Sequence, residues 1–200
     1  MAQQLACKRG LVTGSNSGIG VAIAKRLLIA SLLAVGVPAN AQDLVINGPA
    51  PDFSARTFDG REVTMADYKG QVLIINFWAT WCGPCKKELP LLDAYYAEAQ
   101  KRGYGLKIIA ITTEDSIPIN DLRPLARQVS FDMARHFHGP YHVLKGVPTN
   151  YVIDRNGVLR YAKADAFDID TLNEVLIPLL QQPTPADAGP GPTKASFSAP

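Results

Sequence analysis

The stretch "NFWATWCGPCKKELP", residues 76–90, contains two cysteines separated by two residues. The apolar run "QVLIINFWA" (71–79) precedes them and has the length of a strand buried on both faces. The segment that follows, "KKELPLLDAYYAEAQKRG", carries apolar residues at helical spacing. Cys82 and Cys85 are therefore predicted at a strand-to-helix junction, where a cysteine pair can bind a metal, staple the fold or exchange electrons.

A metal site and a purely structural disulfide are both disfavoured. Zinc needs two further ligands with matching spacing. The third cysteine, Cys7, lies in a region predicted to be removed, and His136, His138 and His142 cluster in the stretch "RHFHGPYH", which is predicted to be a loop. A disulfide across two intervening residues closes too short a loop to constrain the unfolded chain much. We therefore predict no metal and no cofactor.

Thiol–disulfide exchange fits the predicted position of the pair. Cys82 would begin the helix, where unpaired backbone N–H groups and the helix dipole favour a negative charge. The thiolate is the nucleophile in exchange, and Lys86 and Lys87 add positive potential beside it. Cys85 would lie one turn further in, more buried, and would attack the mixed disulfide to release the partner. We expect Cys82 to be ionised and accessible.

The remaining patterns predict an α/β fold, a mixed central sheet flanked by helices on both faces. The expected elements are an N-terminal hairpin turning at Asp59-Gly60, a helix after the cysteines that Pro90 kinks and Gly103 ends, a buried strand at 106–113, a weaker helix at 119–129 with a break near Pro124, a hairpin turning at Asn156-Gly157, and a closing helix at 168–180.

Three motifs carry a family resemblance. "FWATWCGPC" (77–85), "GVPT" (146–149) and "YVIDRNG" (151–157) resemble the thioredoxin fold. The segment 50–82 is similar to the TlpA/ResA-like branch of exported thiol–disulfide oxidoreductases, and the resemblance covers residues 49–180. It implies a thioredoxin fold with an N-terminal β-hairpin extension, and a protein-disulfide oxidoreductase acting through Cys82 and Cys85.

The resemblance also implies roles for residues outside the cysteine pair. Pro148 is expected in cis, which is uncommon even before proline, and it would face the cysteines. Val147 would offer its backbone to the bound partner. Trp81 would shape the partner groove, whereas Trp78 is expected in the core.

Two positions near the pair distinguish this chain from cytosolic thioredoxins. Those proteins carry an aspartate six residues before the first cysteine, but here Asn76 stands there, so that buried proton acceptor is missing. Glu88 matches a glutamate that ResA-like members keep near the active site, three residues after Cys85 on the same helical face. Two interpretations of Glu88 stay open: a group that tunes or shuttles a proton at Cys85, and a solvated surface acid.

The first 41 residues predict export. "KRLLIASLLAVGVPANAQ" (25–42) combines a positive start, an apolar run at 27–37 and small residues at 39–41, as in a secretory signal. The run is shorter than the roughly 20 residues that span a bilayer. We expect a signal peptide at 21–41, a thioredoxin-like domain at 42–181 and a disordered Pro/Gly/Ala tail at 182–200.

Residues 1–20 contain "VTGSNSGIG", which resembles the T-G-x-x-x-G-I-G turn of short-chain dehydrogenases. The second strand with its acidic residue and the further βα units that a dinucleotide site requires are missing. We interpret this segment as a misassigned start or an upstream fusion that is not structured natively.

We therefore predict a periplasmic enzyme that reduces protein disulfides, with apocytochrome c cysteines as candidate clients and a membrane electron donor for recycling. The net charge is +2, with four basic and no acidic residues in 1–41, so nothing favours nucleic acid. The peroxiredoxin pattern P-x-x-x-T-x-x-C fails, because Ile75 and Ala79 occupy its proline and threonine positions. A thiol oxidase of the same fold and a non-catalytic binding module remain as alternatives, and a monomer is expected.

Overall fold

The computed structural model describes residues 44–185. The predicted signal peptide, residues 1–20 and positions 186–200 of the predicted tail lie outside this range. The strands are β1 (Ser54–Thr57), β2 (Glu62–Thr64), β3 (Val72–Trp78), β4 (Leu106–Thr112), β5 (Asp132–His138), β6 (Thr149–Ile153) and β7 (Leu159–Lys163). The helices are α1 (Gly83–Lys101), α2 (Ile119–Ala126), α3 (Ile169–Leu180) and a 3-10 helix (Met65–Tyr68).

The described strands form one mixed sheet in the order β2-β1-β5-β4-β3-β6-β7. The three central strands β3, β4 and β5 are parallel, and the outer pairs are antiparallel. Parallel neighbours need a crossover connection, which α1 supplies between β3 and β4, and α2 between β4 and β5. The predicted mixed sheet with parallel central strands is confirmed.

Strand β3 is buried along its whole length and feeds two apolar clusters. Because successive side chains of a strand point to opposite faces, Ile74 and Trp78 join the cluster that contains residues of all three α-helices. Leu73 and Ile75 join the other cluster, which the 3-10 helix and loops cover. The three α-helices thus share one face, rather than two as expected. Both crossovers run in the same direction across the sheet, and right-handed connections then place their helices on one side.

Of three local features, two differ from the sequence-based expectation and one agrees with it. Residues 132–138 form β5, so His136 and His138 lie on a strand and not in a loop. Helix α1 runs from Gly83 to Lys101 with Pro90 inside it, and Gly103, with φ 69°, lies just beyond its end, as predicted. Helix α2 ends at Ala126, shorter than predicted, and includes Pro124 without a break.

Both predicted hairpins form, and glycine makes each turn possible. Gly60 has φ 92° between β1 and β2, and Gly157 has φ 72° between β6 and β7. Residues that carry a side chain adopt such positive φ angles far less readily than glycine does. The carboxylate of Asp154 accepts hydrogen bonds from the backbone N–H groups of Asn156 (2.9 Å) and Val158 (3.0 Å) and so fixes the second turn. No helix within residues 44–185 has the length and apolar character needed to cross a membrane.

Candidate active site

The cysteine pair lies where β3 leads into α1, and it forms a disulfide. Cys82 is the N-cap of α1, and its Sγ accepts a hydrogen bond from the backbone N–H of Cys85 at 3.1 Å. No acidic residue occupies the first turn of the helix. The first sulfur therefore receives one of the N–H groups that a helix leaves unpaired at its start. This contact favours negative charge on that sulfur once the disulfide is reduced.

The two cysteines are buried to nearly the same degree. Cys85 is fully buried, as expected, but Cys82 is only 2% exposed, so the prediction of an accessible first sulfur does not hold for the disulfide state. The carbonyl oxygen of Val147 lies 3.5 Å from the Cys82 sulfur. The peptide bond between Val147 and Pro148 is cis, as the resemblance implies, and Pro148 is buried.

The loop that carries the cis proline is held by short hydrogen bonds. The hydroxyl of Thr149 donates to the carbonyl of Gly146 at 2.6 Å and accepts from the N–H of Leu144 at 3.3 Å. The hydroxyl of Tyr151 donates to the carbonyl of His142 at 2.6 Å. Side chains of β6 thus fix the loop whose backbone faces Cys82.

The two tryptophans have opposite environments. Trp78 is 2% exposed and belongs to the core, as expected, and its Nε1 has no hydrogen-bond partner within the described residues. Trp81 is 71% exposed, although it directly precedes the buried Cys82. An exposed indole beside a reactive centre offers an apolar contact to an approaching chain.

Glu88 is a buried acid, 1% exposed, and this excludes the interpretation as a solvated surface acid. Its Oε1 accepts from Asn150 Nδ2 at 2.6 Å and from the backbone N–H of Phe167 at 2.7 Å, and its Oε2 accepts from Asn76 Nδ2 at 2.9 Å. Burial raises the pKa of Glu88, and the three donors oppose that shift without cancelling it. The group is thus closer to exchanging protons near neutral pH than an exposed glutamate is.

Asn76 and Asn150 are direct cross-strand partners in the β3–β6 pair, and both are fully buried. Asn76 Nδ2 also donates to Asn150 Oδ1 at 2.8 Å, and Asn150 Nδ2 also donates to the carbonyl of Asp165 at 2.9 Å. Asn76 occupies the position of the aspartate of cytosolic thioredoxins, and here its amide binds a carboxylate that α1 supplies. No role for Asn150 is predicted from the sequence.

A groove of about 720 Å³ lies beside the pair. The dipeptide between the cysteines, Gly83-Pro84, forms part of its wall, and Glu88 lines it. The remaining lining residues are mostly apolar: Lys87, Leu91, Ala166, Phe167, Asp168 and Ile169. The groove could take an apolar segment of a partner chain next to the sulfurs. No group of three metal-ligating side chains that could hold an ion occurs in residues 44–185.

Comparison with known proteins identifies this arrangement. Residues 46–162 match the AhpC/TSA family. The chain belongs to the AhpC/TSA family. The thiol–disulfide oxidoreductase ResA of Bacillus thuringiensis (strain Al Hakam) is 30% identical to it over 126 residues, which cover 61% of this chain and 71% of that protein.

Solved structures agree with this assignment. A Chlorobium tepidum protein assigned as the thiol:disulfide interchange protein DsbE is 27% identical, with a TM-score of 0.56 over 68% of this chain and 99% of that one. A protein from Bacteroides thetaiotaomicron assigned as a disulfide isomerase shares the fold at 24% identity, with a TM-score of 0.59 over 70% of this chain and 92% of its own. The predictions of a thioredoxin fold and of a protein-disulfide oxidoreductase are confirmed.

Proposed function

We propose that this AhpC/TSA family member reduces protein disulfides in the periplasm, including those of apocytochrome c cysteine pairs. The observation that carries the proposal is the Cys82 sulfur at the start of α1, bonded by the Cys85 N–H and 3.5 Å from the carbonyl of Val147, next to a cis proline. A backbone carbonyl at that distance can pair with the N–H of an extended client segment.

The proposed reaction is a two-step exchange. The thiolate of Cys82 attacks one sulfur of the client disulfide, so one S–S bond forms, one breaks, and the other client sulfur leaves as a thiolate. The thiolate of Cys85 then attacks the Cys82 sulfur, which restores the disulfide of the pair and releases the second client thiolate. Two electrons pass to the client, and the two thiolates that it gains take up protons.

Glu88 is proposed to handle the proton of Cys85. The acid lies one helical turn after that cysteine and is buried without an ion-pair partner among the described residues. Cys85 must lose a proton before it can attack the mixed disulfide, and a buried carboxylate with a raised pKa is suited to accept one near neutral pH. Of the two interpretations of Glu88 that the sequence left open, this is the one in which Glu88 tunes or shuttles a proton at Cys85.

The proposed export and recycling rest on the sequence. The signal-like segment at 21–41 supports export, and an exported reductant must be recharged by a membrane electron donor, because its surroundings would otherwise leave it oxidised.

Trp81 and the groove beside Gly83-Pro84 supply apolar surface for an unfolded client. Ile75 and Ala79, both buried and apolar, offer no polar group to orient a peroxide.

The direction of electron flow is tested by the equilibrium reduction potential of the Cys82–Cys85 couple, measured in a Cys7→Ser background so that only the pair titrates. A potential near that of thioredoxin, about −270 mV, supports reduction, whereas one nearer −120 mV identifies an oxidant of thiols.

Catalysis itself is tested by trapping. A Cys85→Ser variant should accumulate a mixed disulfide with a peptide disulfide, and a Cys82→Ser variant should not. A non-catalytic binding module would give no adduct in either variant and would bind the peptide equally well after both substitutions.

A further inference from the structure

The segment between β3 and the cysteine pair is a tight turn, and a side chain that follows β4 forms hydrogen bonds to it. The backbone N–H of Cys82 donates to the carbonyl of Ala79 at 3.1 Å, so Thr80 and Trp81 occupy the two central positions of the turn. Glu114 contacts this turn with both carboxylate oxygens. Its Oε2 accepts the backbone N–H of Thr80 at 2.5 Å, and its Oε1 accepts the Thr80 hydroxyl at 3.0 Å.

Glu114 is itself tied to the end of β4. Its backbone N–H donates to the hydroxyl of Thr112 at 3.2 Å. The next-door Thr113 donates both its N–H (3.0 Å) and its hydroxyl (3.3 Å) to the carbonyl of Trp78. The carboxyl-terminal ends of β3 and β4 are therefore joined by side-chain bonds beyond the sheet ladder, immediately before the redox pair.

Among residues 44–185, the carboxylate of Glu114 makes hydrogen bonds to Thr80 and to no other residue. No ion pair of Glu114 occurs within the described residues, and its two oxygens both go to Thr80. Trp81, the next residue, is 71% exposed, so packing contributes little to its position. The turn, and with it the exposed indole, is held chiefly by backbone bonds and by this carboxylate.

We propose that Glu114 is a positioning residue that holds the Thr80–Trp81 turn and so presents Trp81 to a protein client beside Cys82. The inference rests on the proposed function, because it needs a client that contacts Trp81. It assigns Glu114 no contact with the reacting sulfurs. We call the two hydrogen bonds from Thr80 to Glu114 the clamp. Its loss should therefore weaken client binding and leave the intrinsic reactivity of the cysteine pair unchanged.

The test follows single turnovers of the full-length reduced chain with two substrates, so that KM is the substrate concentration giving half the maximal rate and kcat is that maximal rate. One is a peptide disulfide with apolar residues beside its cysteines, and the other is a small uncharged disulfide too short to reach Trp81. Glu114→Ala is expected to raise KM for the peptide about tenfold, with kcat and the rate constant for the small disulfide within twofold of wild type. Glu98→Ala, which removes an exposed carboxylate paired with Arg102, is the matched control and should change neither.

Conservative variants separate the clamp from the charge. Glu114→Gln can still accept the Thr80 N–H with its oxygen and donate to the hydroxyl with its amide, so its KM should stay near wild type. Thr80→Val removes the hydroxyl but keeps the N–H, and its KM should lie between those of wild type and Glu114→Ala.

Three results would overturn the inference: Glu114→Gln as impaired as Glu114→Ala, an equal loss on both substrates, or no change in KM for Glu114→Ala. If the wild-type chain reduces neither substrate, the proposed function fails instead. If the wild-type chain reduces the peptide and Glu114→Ala does so with the same KM, the positioning role of Glu114 is rejected and the proposed function stands.

Discussion

Two charged side chains are buried at opposite ends of the sheet, and neither has an ion-pair partner among the described residues. Glu88, at the cysteine end, is 1% exposed, and Arg155, at the other end, is 5% exposed. Burial of an unpaired charge is costly unless hydrogen bonds replace the lost water. In both sites neutral groups supply those bonds: three N–H donors around Glu88, and oxygen acceptors around Arg155.

Arg155 links segments that are far apart in sequence. Its Nη1 donates to the carbonyl of Gly70, just before β3, and its Nη2 donates to the carbonyl of Leu180 at the end of α3, each at 3.2 Å. The backbone makes room for it at Gly105, where a Cβ atom would lie 2.9 Å from Nη1. Burial lowers the pKa of Arg155, but a guanidinium remains charged in proteins.

The same physics therefore gives two different outcomes. Desolvation disfavours the charged form in both residues. Arg155 cannot respond by releasing its proton, so it stays charged and holds the carbonyls of Gly70 and Leu180 by hydrogen bonds. Glu88 can respond by taking up a proton, and its pKa is raised. The group whose charge can change lies beside the sulfurs, and the group whose charge is permanent lies at the far end of β3.

The largest effect on stability is expected from Arg155→Met. Methionine fills part of the space but leaves the carbonyls of Gly70 and Leu180 buried without donors, and each orphaned group costs roughly 1–3 kcal/mol. The free energy of unfolding of the oxidised protein, measured in urea, should fall by about 3 kcal/mol. The exchange rate per folded molecule should stay at the wild-type value.

Arg102→Met is the control for Arg155→Met. Arg102 is exposed and pairs with Glu98 four residues earlier, so its loss should leave the free energy of unfolding close to that of wild type. A loss for Arg155→Met as small as that would mean that the buried guanidinium contributes nothing beyond its desolvation cost.

Asn76→Asp is expected to have the next largest effect. It would place a second carboxylate where an amide now donates to Glu88 at 2.9 Å. Two carboxylates at that distance cannot both ionise, and two donated hydrogen bonds disappear, so we expect a loss of about 2 kcal/mol in unfolding free energy at neutral pH. The loss should shrink as the pH is lowered, because a shared proton then joins the two acids.

A double variant sharpens this prediction. Asn76→Asp with Glu88→Gln exchanges the carboxylate and the amide between strand and helix, and it should recover most of the stability that Asn76→Asp loses. Additive losses in the double-mutant cycle would show that the two residues do not interact energetically.

The sequence predicts those parts of the fold whose signals are local. A continuous apolar run gives β3, an Asn-Gly turn gives the β6–β7 hairpin, and Asp168 caps α3 by accepting from the Thr171 N–H at 2.7 Å. Strand β5 escaped prediction because it carries charged residues and histidines and is set by pairing with β4 and β1. That pairing is a non-local property.

The burial of Glu88 and the role of Asn150 could not be predicted for the same reason. Asn76 and Asn150 are 74 residues apart in sequence, and only the antiparallel register of β3 with β6 makes them neighbours. One signal was available. Each asparagine interrupts a strand that is otherwise almost entirely apolar, and a polar residue at such a position needs a buried partner.

The smallest effect is expected from Glu88→Gln, and it concerns the slope of stability against pH. A carboxyl whose pKa is raised by folding binds a proton in the native state while the unfolded chain has released it. Stability therefore falls as the pH rises from the unfolded value near 4.5 up to the raised native pKa. The slope from this one group cannot exceed about 1.4 kcal/mol per pH unit.

Glu88→Gln should remove that descent in the oxidised protein, in which the disulfide sulfurs do not titrate. Unfolding free energies in urea, taken at half-unit steps from pH 4 to 8, would show it. Exposed Glu174, changed to Gln, should leave the wild-type slope in place, because water already solvates its carboxylate. A wild type whose stability instead rises through this range, with the rise lost in Glu88→Gln, would show that the three donors outweigh burial. The acid would then be held ionised in the folded protein and would be no better suited to exchange protons with Cys85 than an ordinary surface glutamate.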